Sequence, residues 1–170
     1  WYHYFISIDI VESFFDCEVC VMGAKKRLPV GIEFFDELIR ENFYYIDKTG
    51  LIEELLNNWG KVNLFTRPRR FGKTLNQFMI RRFFEDEITE KGEKVDNGYL
   101  FDGLAITHCG EEILQHQQRY PVIFMSLKSA KQDSYDMAYA SLIDEISKEF
   151  KRHAYLLQGE SLSPKEKQEF

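Results

Sequence analysis

The residues of this chain with the clearest chemical potential are Gly72, Lys73 and Thr74, which follow a short basic loop. Glycine lets backbone N–H groups approach an anion, lysine supplies a point charge, and a threonine hydroxyl is a ligand for Mg²⁺. Residues 67–73 hold four basic side chains and no acidic one, although the whole chain has a net charge of −6. This local positive charge predicts an anionic ligand, and the order Gly-Lys-Thr predicts that the ligand carries phosphate groups.

The elements around this loop are those that a phosphate-binding loop requires. Residues 62–66 are apolar and β-prone, which predicts a buried strand, and an amphipathic helical pattern begins at Lys73. Strand, tight loop, Gly-Lys-Thr and helix together make a P-loop, which binds ATP with Mg²⁺. We therefore expect Lys73 to contact the β- and γ-phosphates and Thr74 to be the metal ligand. The predicted nucleotide-binding residues are Arg67, Pro68, Arg69, Arg70, Phe71, Gly72, Lys73 and Thr74.

One position departs from the usual motif, because the glycine expected five residues before Gly72 is replaced by Arg67. Two other interpretations therefore stay open. The loop could be a basic surface loop that only resembles a P-loop. Alternatively, Arg67, Arg69 and Arg70 could contact the phosphates of a nucleic acid, and such binding would depend strongly on salt.

The rest of the chain alternates between strand-like and helical patterns. Residues 122–127 form a continuous apolar run, typical of a strand buried on both faces, and helical spacing of apolar residues follows from Tyr139 to Leu157. Earlier, Thr49 is a predicted N-cap whose hydroxyl would accept a free amide hydrogen of the next helix. This alternation predicts an α/β fold with a parallel sheet. The acidic run 85–87 and His153 are expected at the surface.

Composition limits the classes of protein that fit this chain. With 170 residues, 44% of them hydrophobic, it can build a real core, and the net charge of −6 argues against wholesale nucleic-acid binding. Three cysteines fit a reducing compartment, so we expect a cytoplasmic protein. Residues 1–21 contain four acids and no Lys or Arg, which argues against a secretory signal or a membrane span. We expect residues 1–22 to be an N-terminal extension, of which residues 1–21 would not be native and Met22 would be the true start.

Five segments, in this order, resemble the predicted AAA-ATPase-like family. These are microbial proteins whose P-loop ATPase domain is often followed by a nuclease-like domain of the PD-(D/E)xK type. The resemblance runs from about residue 27 to the end, and it implies that Arg67 belongs to the family's own loop sequence. The segments that carry it are Leu28-Pro-Val-Gly-Ile-Glu-Phe-Phe35, Tyr44-Tyr-Ile-Asp-Lys-Thr49, Asn63-Leu-Phe-Thr-Arg-Pro-Arg-Arg-Phe-Gly-Lys-Thr74, Leu100-Phe-Asp-Gly-Leu104 and Tyr120-Pro-Val-Ile-Phe124.

The resemblance implies a three-layer P-loop NTPase fold of the AAA/ASCE type, of which residues 23–170 would be the N-terminal part. Such an ATPase also needs an acidic Walker B strand. Residues 142–145 end in Asp144-Glu145, but their periodicity is helical and would turn Ile143 and Ile146 inward. We therefore expect the acidic strand beyond Phe170, no catalytic residue within this chain, and hydrolysis that depends on downstream residues.

The resemblance also suggests partners and leaves two questions open. A nucleotide is the expected ligand, a nucleic acid could bind through the missing nuclease-like domain, an oligomer fits, and no membrane contact is expected. The chain could instead be a nucleotide-bound switch without turnover. The turn Asp47-Lys48-Thr49 could lie near the nucleotide or could only cap a helix.

Overall fold

A computed structural model describes residues 26–58, 60–66, 68, 71–89, 91–158 and 165. Contacts divide the chain into two compact units, with Phe84–Asp96 and Gln118–Phe170 in the second and the remainder in the first. The predicted extension, residues 1–22, lies outside the described residues. The helices are α1 (Phe35–Arg40), α2 (Gly50–Asn57), α3 (Lys73–Phe84), α4 (Glu111–Leu114) and α5 (Tyr135–Arg152), with 3₁₀ helices at Gly98–Phe101, Ala105–His108 and Ala154–Gln158.

The first unit is organised around a cluster of aromatic rings contributed by several short elements. The ring of Phe101 lies 5.2 Å from that of Phe35 and 5.4 Å from that of Phe83, between ring centroids. All three side chains are essentially excluded from solvent. Because each helix is short, this shared core, rather than helix propensity, stabilises the unit. Other buried apolar residues of this unit are Leu38, Ile52, Met79, Ile80, Leu100, Ile106 and Ile113.

The second unit combines the segment Phe84–Asp96 with the later chain that contains the long helix α5. Tyr120 N–H donates to Phe84 O at 3.0 Å, and Asp86 N–H donates to Tyr120 O at 2.8 Å. This is one isolated parallel bridge, between Glu85 and Tyr120. Helix α5 begins after Ser134, whose hydroxyl accepts from Met137 N–H at 3.4 Å, as an N-cap does.

The predicted parallel sheet is wrong for the part of the chain that the structure describes. Neither 62–66 nor 122–127 forms a strand, and the side chains of Val62 and Ile123 are 67% and 61% exposed. A parallel strand satisfies its N–H and C=O groups only through neighbouring strands. Among the described residues no such neighbour is present, so the three-layer P-loop architecture is not formed there. An apolar, β-prone run by itself does not specify a strand.

Helix α5 was correctly predicted as a helix, but its orientation was not. Ile143 and Ile146, expected to face inward, are 47% and 41% exposed. The covered side carries Glu149 and Arg152, whose ion pairs anchor the C-terminal end of the helix. Apolar residues of α5, including Ile143 and Ile146, therefore lie on its exposed side. None of the helices in the described ranges is long and apolar enough to cross a membrane.

Candidate functional site

The junction between the basic loop and α3 is formed by Gly72. Gly72 adopts a φ of +75°, in the left-handed region that glycine occupies without steric cost. Asn76 N–H donates to Gly72 O at 2.9 Å, which closes the first helical turn. A Cβ at Gly72 would meet no atom within 4 Å. The glycine is therefore required by backbone conformation and not by crowding from the protein.

The beginning of α3 is electrostatically suited to an anion. Lys73, which is exposed, and Thr74, which is half-buried, occupy the first two positions of this 12-residue helix. Its first turn contains no acidic residue. The first turn of a helix presents N–H groups without intrahelical partners and the positive end of the helix dipole. Phosphate groups bind readily at such an end.

The structure describes only part of the predicted loop. Pro68 and Phe71 are both exposed, and Phe71 keeps 53% of its surface in solvent. Arg67, Arg69 and Arg70 lie outside the described residues, so their predicted contacts stay predictions.

Thr74 stays the predicted metal ligand. No group of three or more His, Cys, Asp or Glu side chains comes together as a metal site in the described ranges. A Mg²⁺ ion bound through Thr74 would take its other ligands from phosphate oxygens and water, as this ion commonly does.

The body of α3 is fixed in the first unit by buried and polar contacts. Met79 and Phe83 are fully buried, as their helical spacing predicted. Tyr45 Oη donates to Met79 Sδ at 3.2 Å, and burial raises the pKa of this phenol well above its ordinary value. Arg82 Nη2 lies 3.4 Å from Asp36 Oδ2. These contacts hold the helix that begins with Lys73.

The turn Asp47-Lys48-Thr49 connects two helix ends. Asp47 Oδ1 accepts from Thr49 N–H at 2.8 Å and from the Thr49 hydroxyl at 2.7 Å, while Asp47 Oδ2 accepts from Ala105 N–H at 2.6 Å. Thr49 Oγ1 accepts from Ile106 N–H at 3.1 Å. The predicted capping by the Thr49 hydroxyl is thus wrong, because that hydroxyl makes no cap bond to α2.

These hydrogen bonds favour the capping interpretation of the turn. The accepting group at the start of α2 is the carboxylate of Asp47 and not the hydroxyl of Thr49. The same side chains bind the first N–H groups of the 3₁₀ helix Ala105–His108. Sequence reasoning missed that link because 57 and 58 positions separate the partners. The sequence carried no signal for it, because the burial of Thr49, whose hydroxyl then needs partners, is visible only in the structure.

The Asp144-Glu145 pair lies on α5 and not on a strand. Lys148 Nζ pairs with Asp144 Oδ2 at 2.6 Å and with Glu145 Oε1 at 3.2 Å. These are helix-surface ion pairs at spacings of four and three residues. The helical interpretation is confirmed, and the pair is not the acidic end of a Walker B strand.

A polar cluster in the second unit was not predicted. Glu85 and His153, expected at the surface, are 1% and 6% exposed. Arg152 forms ion pairs with Glu85 and with Glu149. The available signal was the pair of basic residues at the end of an amphipathic helix, together with an acid at the end of α3.

Comparison with known proteins identifies a family for this chain. The family model described as Predicted AAA-ATPase matches residues 29–169. A curated relative from Azotobacter chroococcum mcd 1, described as an uncharacterized protein in the vnfD 5′ region, is 35% identical over 105 residues. That match covers 61% of this chain and 17% of the relative. No solved structure matches the chain significantly.

The family match extends over most of the chain and includes the loop, α3 and α5. It contains the segments from which the resemblance was drawn, except for the first residue of the earliest segment. A nuclease-like domain is not shown by these comparisons. The chain belongs to the predicted AAA-ATPase family.

Proposed function

We propose that residues 67–74 bind ATP with Mg²⁺. The observation that carries this proposal is the left-handed Gly72 leading directly into α3, whose first turn carries Lys73 and no acid. Backbone N–H groups at this end can donate to phosphate oxygens, and the helix dipole stabilises the negative charge. Membership of the family supports a nucleotide as the anion.

Each residue of the loop has a separate task in this proposal. Lys73 places its ammonium group on the β- and γ-phosphates, and Thr74 supplies one oxygen to the metal. Arg67, Arg69 and Arg70 add charge-assisted contacts to the same phosphates. Bound Mg²⁺ neutralises phosphate charge and fixes the polyphosphate conformation.

Calorimetry with Mg·ATP tests the proposal. Removing a charge-assisted contact costs about 1.5–3 kcal/mol, so Lys73→Ala should weaken binding about 10- to 100-fold. Lys131→Ala is the matched control, because Lys131 is also an exposed lysine but lies far from the loop in sequence. Equal affinity of wild type and Lys73→Ala would exclude the proposed site.

We further propose that hydrolysis requires residues of a longer protein. The Asp144-Glu145 pair is committed to helix-surface ion pairs and cannot orient an attacking water at the end of a strand. The matched relative extends far beyond the aligned part, since the match covers 17% of it. Phosphate release should therefore appear with the full-length protein and not with residues 1–170. ATP binding without phosphate release by the full-length protein would support the non-hydrolysing switch instead.

The arginine-rich loop also offers a nucleic-acid interpretation, which one measurement separates from ATP binding. Fluorescence anisotropy with labelled DNA across a salt series would show affinity that falls steeply with salt if Arg67, Arg69 and Arg70 contact its backbone. We expect no such binding by this chain, in keeping with its net charge of −6. Nucleic-acid binding through a nuclease-like domain stays a proposal for the longer protein.

A further inference from the structure

The C-terminal end of α5 holds the backbone that follows Pro121. The carbonyl oxygen of Val122 accepts from Arg152 Nη2 and lies 3.0 Å from His153 Nε2. Phe124 N–H donates to Glu149 Oε2 at 3.4 Å. Three side chains from the last turn of α5 and its C-cap thus hold two peptide groups of one irregular segment.

The charged side chains around this contact are largely shielded from solvent. His153 is 6% exposed, and Arg152 Nη2 lies 3.0 Å from its Nε2. Arg152 is itself paired with Glu85 and Glu149, and Glu149 Oε2 lies 3.7 Å from His153 Nε2. Within the described ranges a further ionisable neighbour is Tyr155 on the 3₁₀ helix Ala154–Gln158, with its ring centroid 5.9 Å from that of His153.

Two contacts of His153 Nε2 depend on the tautomer of the ring, because Nε2 can donate to Val122 O or accept from Arg152 Nη2. A neutral ring that donates from Nε2 to Val122 O carries no proton on Nδ1. His153 Nδ1 is buried and has no hydrogen-bond partner within the described part of the chain. A second proton would therefore create a buried N–H without an acceptor and a positive charge beside Arg152. Burial, and then the charge of Arg152, lower the pKa of His153.

The two nearby carboxylates do not remove this conflict. Glu85 and Glu149 would attract an imidazolium, but both already accept from Arg152. A protonated His153 would have to compete with a guanidinium for the same oxygens. Removing Glu149 from Arg152 would also weaken its contact with Phe124 N–H.

We propose that His153 is an acid-sensitive latch: the neutral ring holds residues 122–124 against the end of α5, and protonation of the ring releases them. Residues 122–124 thus have two states within the second unit, held and released, and the protonation of one ring shifts the equilibrium between them. It does not depend on nucleotide binding.

Proton NMR of the histidine ring and amide hydrogen exchange, both followed against pH, test the latch. We expect His153 to titrate below 6.5, its ordinary value. The opening equilibrium reported by the amide of Phe124, which donates to Glu149 in the closed state, should rise through the same midpoint after correction for the intrinsic pH dependence of exchange. The total rise should be about tenfold for each pH unit that separates the native and released pKa values.

Two variants sharpen the test. In His153→Gln the amide nitrogen can still donate to Val122 O but cannot titrate, so the step in exchange should disappear. His108→Gln, which changes an exposed histidine, should retain the step. A step that survives in His153→Gln would overturn the latch. So would wild-type protein in which His153 titrates without any change in the exchange of residues 122–124, a result that does not depend on whether the variant folds.

Discussion

The carboxylate of Asp47 and the backbone N–H of Ala105 form a hydrogen bond of 2.6 Å across 58 positions of the chain. Because the same carboxylate also accepts from Thr49 N–H, one side chain serves the N-terminal ends of α2 and of the 3₁₀ helix Ala105–His108. Both ends would otherwise present donors without partners. The turn that leads into α2 therefore also fixes the distant segment around residue 105.

Replacing Asp47 should destabilise the first unit. Asp47→Ala leaves the amide of Ala105 and the buried hydroxyl of Thr49 without their acceptor, and we expect a loss of about 1–3 kcal/mol in the free energy of unfolding. Asp47→Asn keeps one carbonyl acceptor and should lose less. Urea denaturation measures both, with Asp102→Ala as the control for an exposed aspartate. Equal stability of Asp47→Ala and Asp102→Ala would show that the hydrogen bonds of Asp47 do not stabilise the first unit.

Gly72→Ala should be unfavourable although space is available. An alanine held at a φ of +75° costs about 1–2 kcal/mol, so the loop should relax to another conformation and ATP affinity should fall. Gly50→Ala is the matched control, because Gly50 also has open space around it but no positive φ, and it begins α2. Calorimetry of both variants with Mg·ATP checks the difference. Unchanged affinity in Gly72→Ala would mean that nucleotide binding does not need this backbone conformation.

The start of α3 could be predicted from sequence, because its signals are local. Gly72 directly precedes Lys73 and Thr74, and the helix begins at Lys73 as expected, whereas nucleotide binding by these residues stays a prediction. The Asp47–Ala105 hydrogen bond could not be predicted, because it depends on how two distant segments pack.

The sheet was wrongly predicted for a related reason. The run 122–127 was predicted as a buried strand from its composition, yet a strand exists only with a partner that supplies its hydrogen bonds. In the described part of the chain this run is held by polar side chains of α5 instead. Likewise, the burial of Glu85 follows from its ion pair with Arg152, 67 positions away.

Cys109 should react slowly with thiol reagents. Its Sγ donates to Glu53 Oε2 at 3.3 Å, and burial together with this carboxylate raises the pKa of the thiol. Less thiolate is then present at neutral pH, and the thiolate is the reactive form. Glu53→Gln should increase the alkylation rate at Cys109, mapped by mass spectrometry. Glu54→Gln, on the exposed side of α2, should not change it.

The stability of the second unit should fall in mild acid. The native pKa of His153 is lowered, so below its ordinary value of 6.5 the unfolded chain binds a proton that the folded chain does not. The contribution of the neutral His153 to the free energy of unfolding is complete above pH 6.5. It decreases as the pH falls towards the native pKa, by up to about 1.4 kcal/mol per pH unit. Urea denaturation between pH 5 and 8 should show this slope in wild type and a smaller one in His153→Gln. Identical slopes would contradict the assignment of a lowered pKa to His153.

The outward orientation of α5 predicts an unusual contrast between two hydrophobic residues. Ile143 is 47% exposed, so Ile143→Ser should change the free energy of unfolding by about 0.5 kcal/mol or less. Phe83 is fully buried between elements of the first unit, and Phe83→Ala should cost about 3–5 kcal/mol. Urea denaturation of both variants checks the contrast. A large loss in Ile143→Ser would mean that the apolar stripe of α5 is buried in solution, by a second molecule or by another part of the chain. Sedimentation of the wild-type chain over a range of concentrations would then distinguish these cases, because only the first depends on concentration.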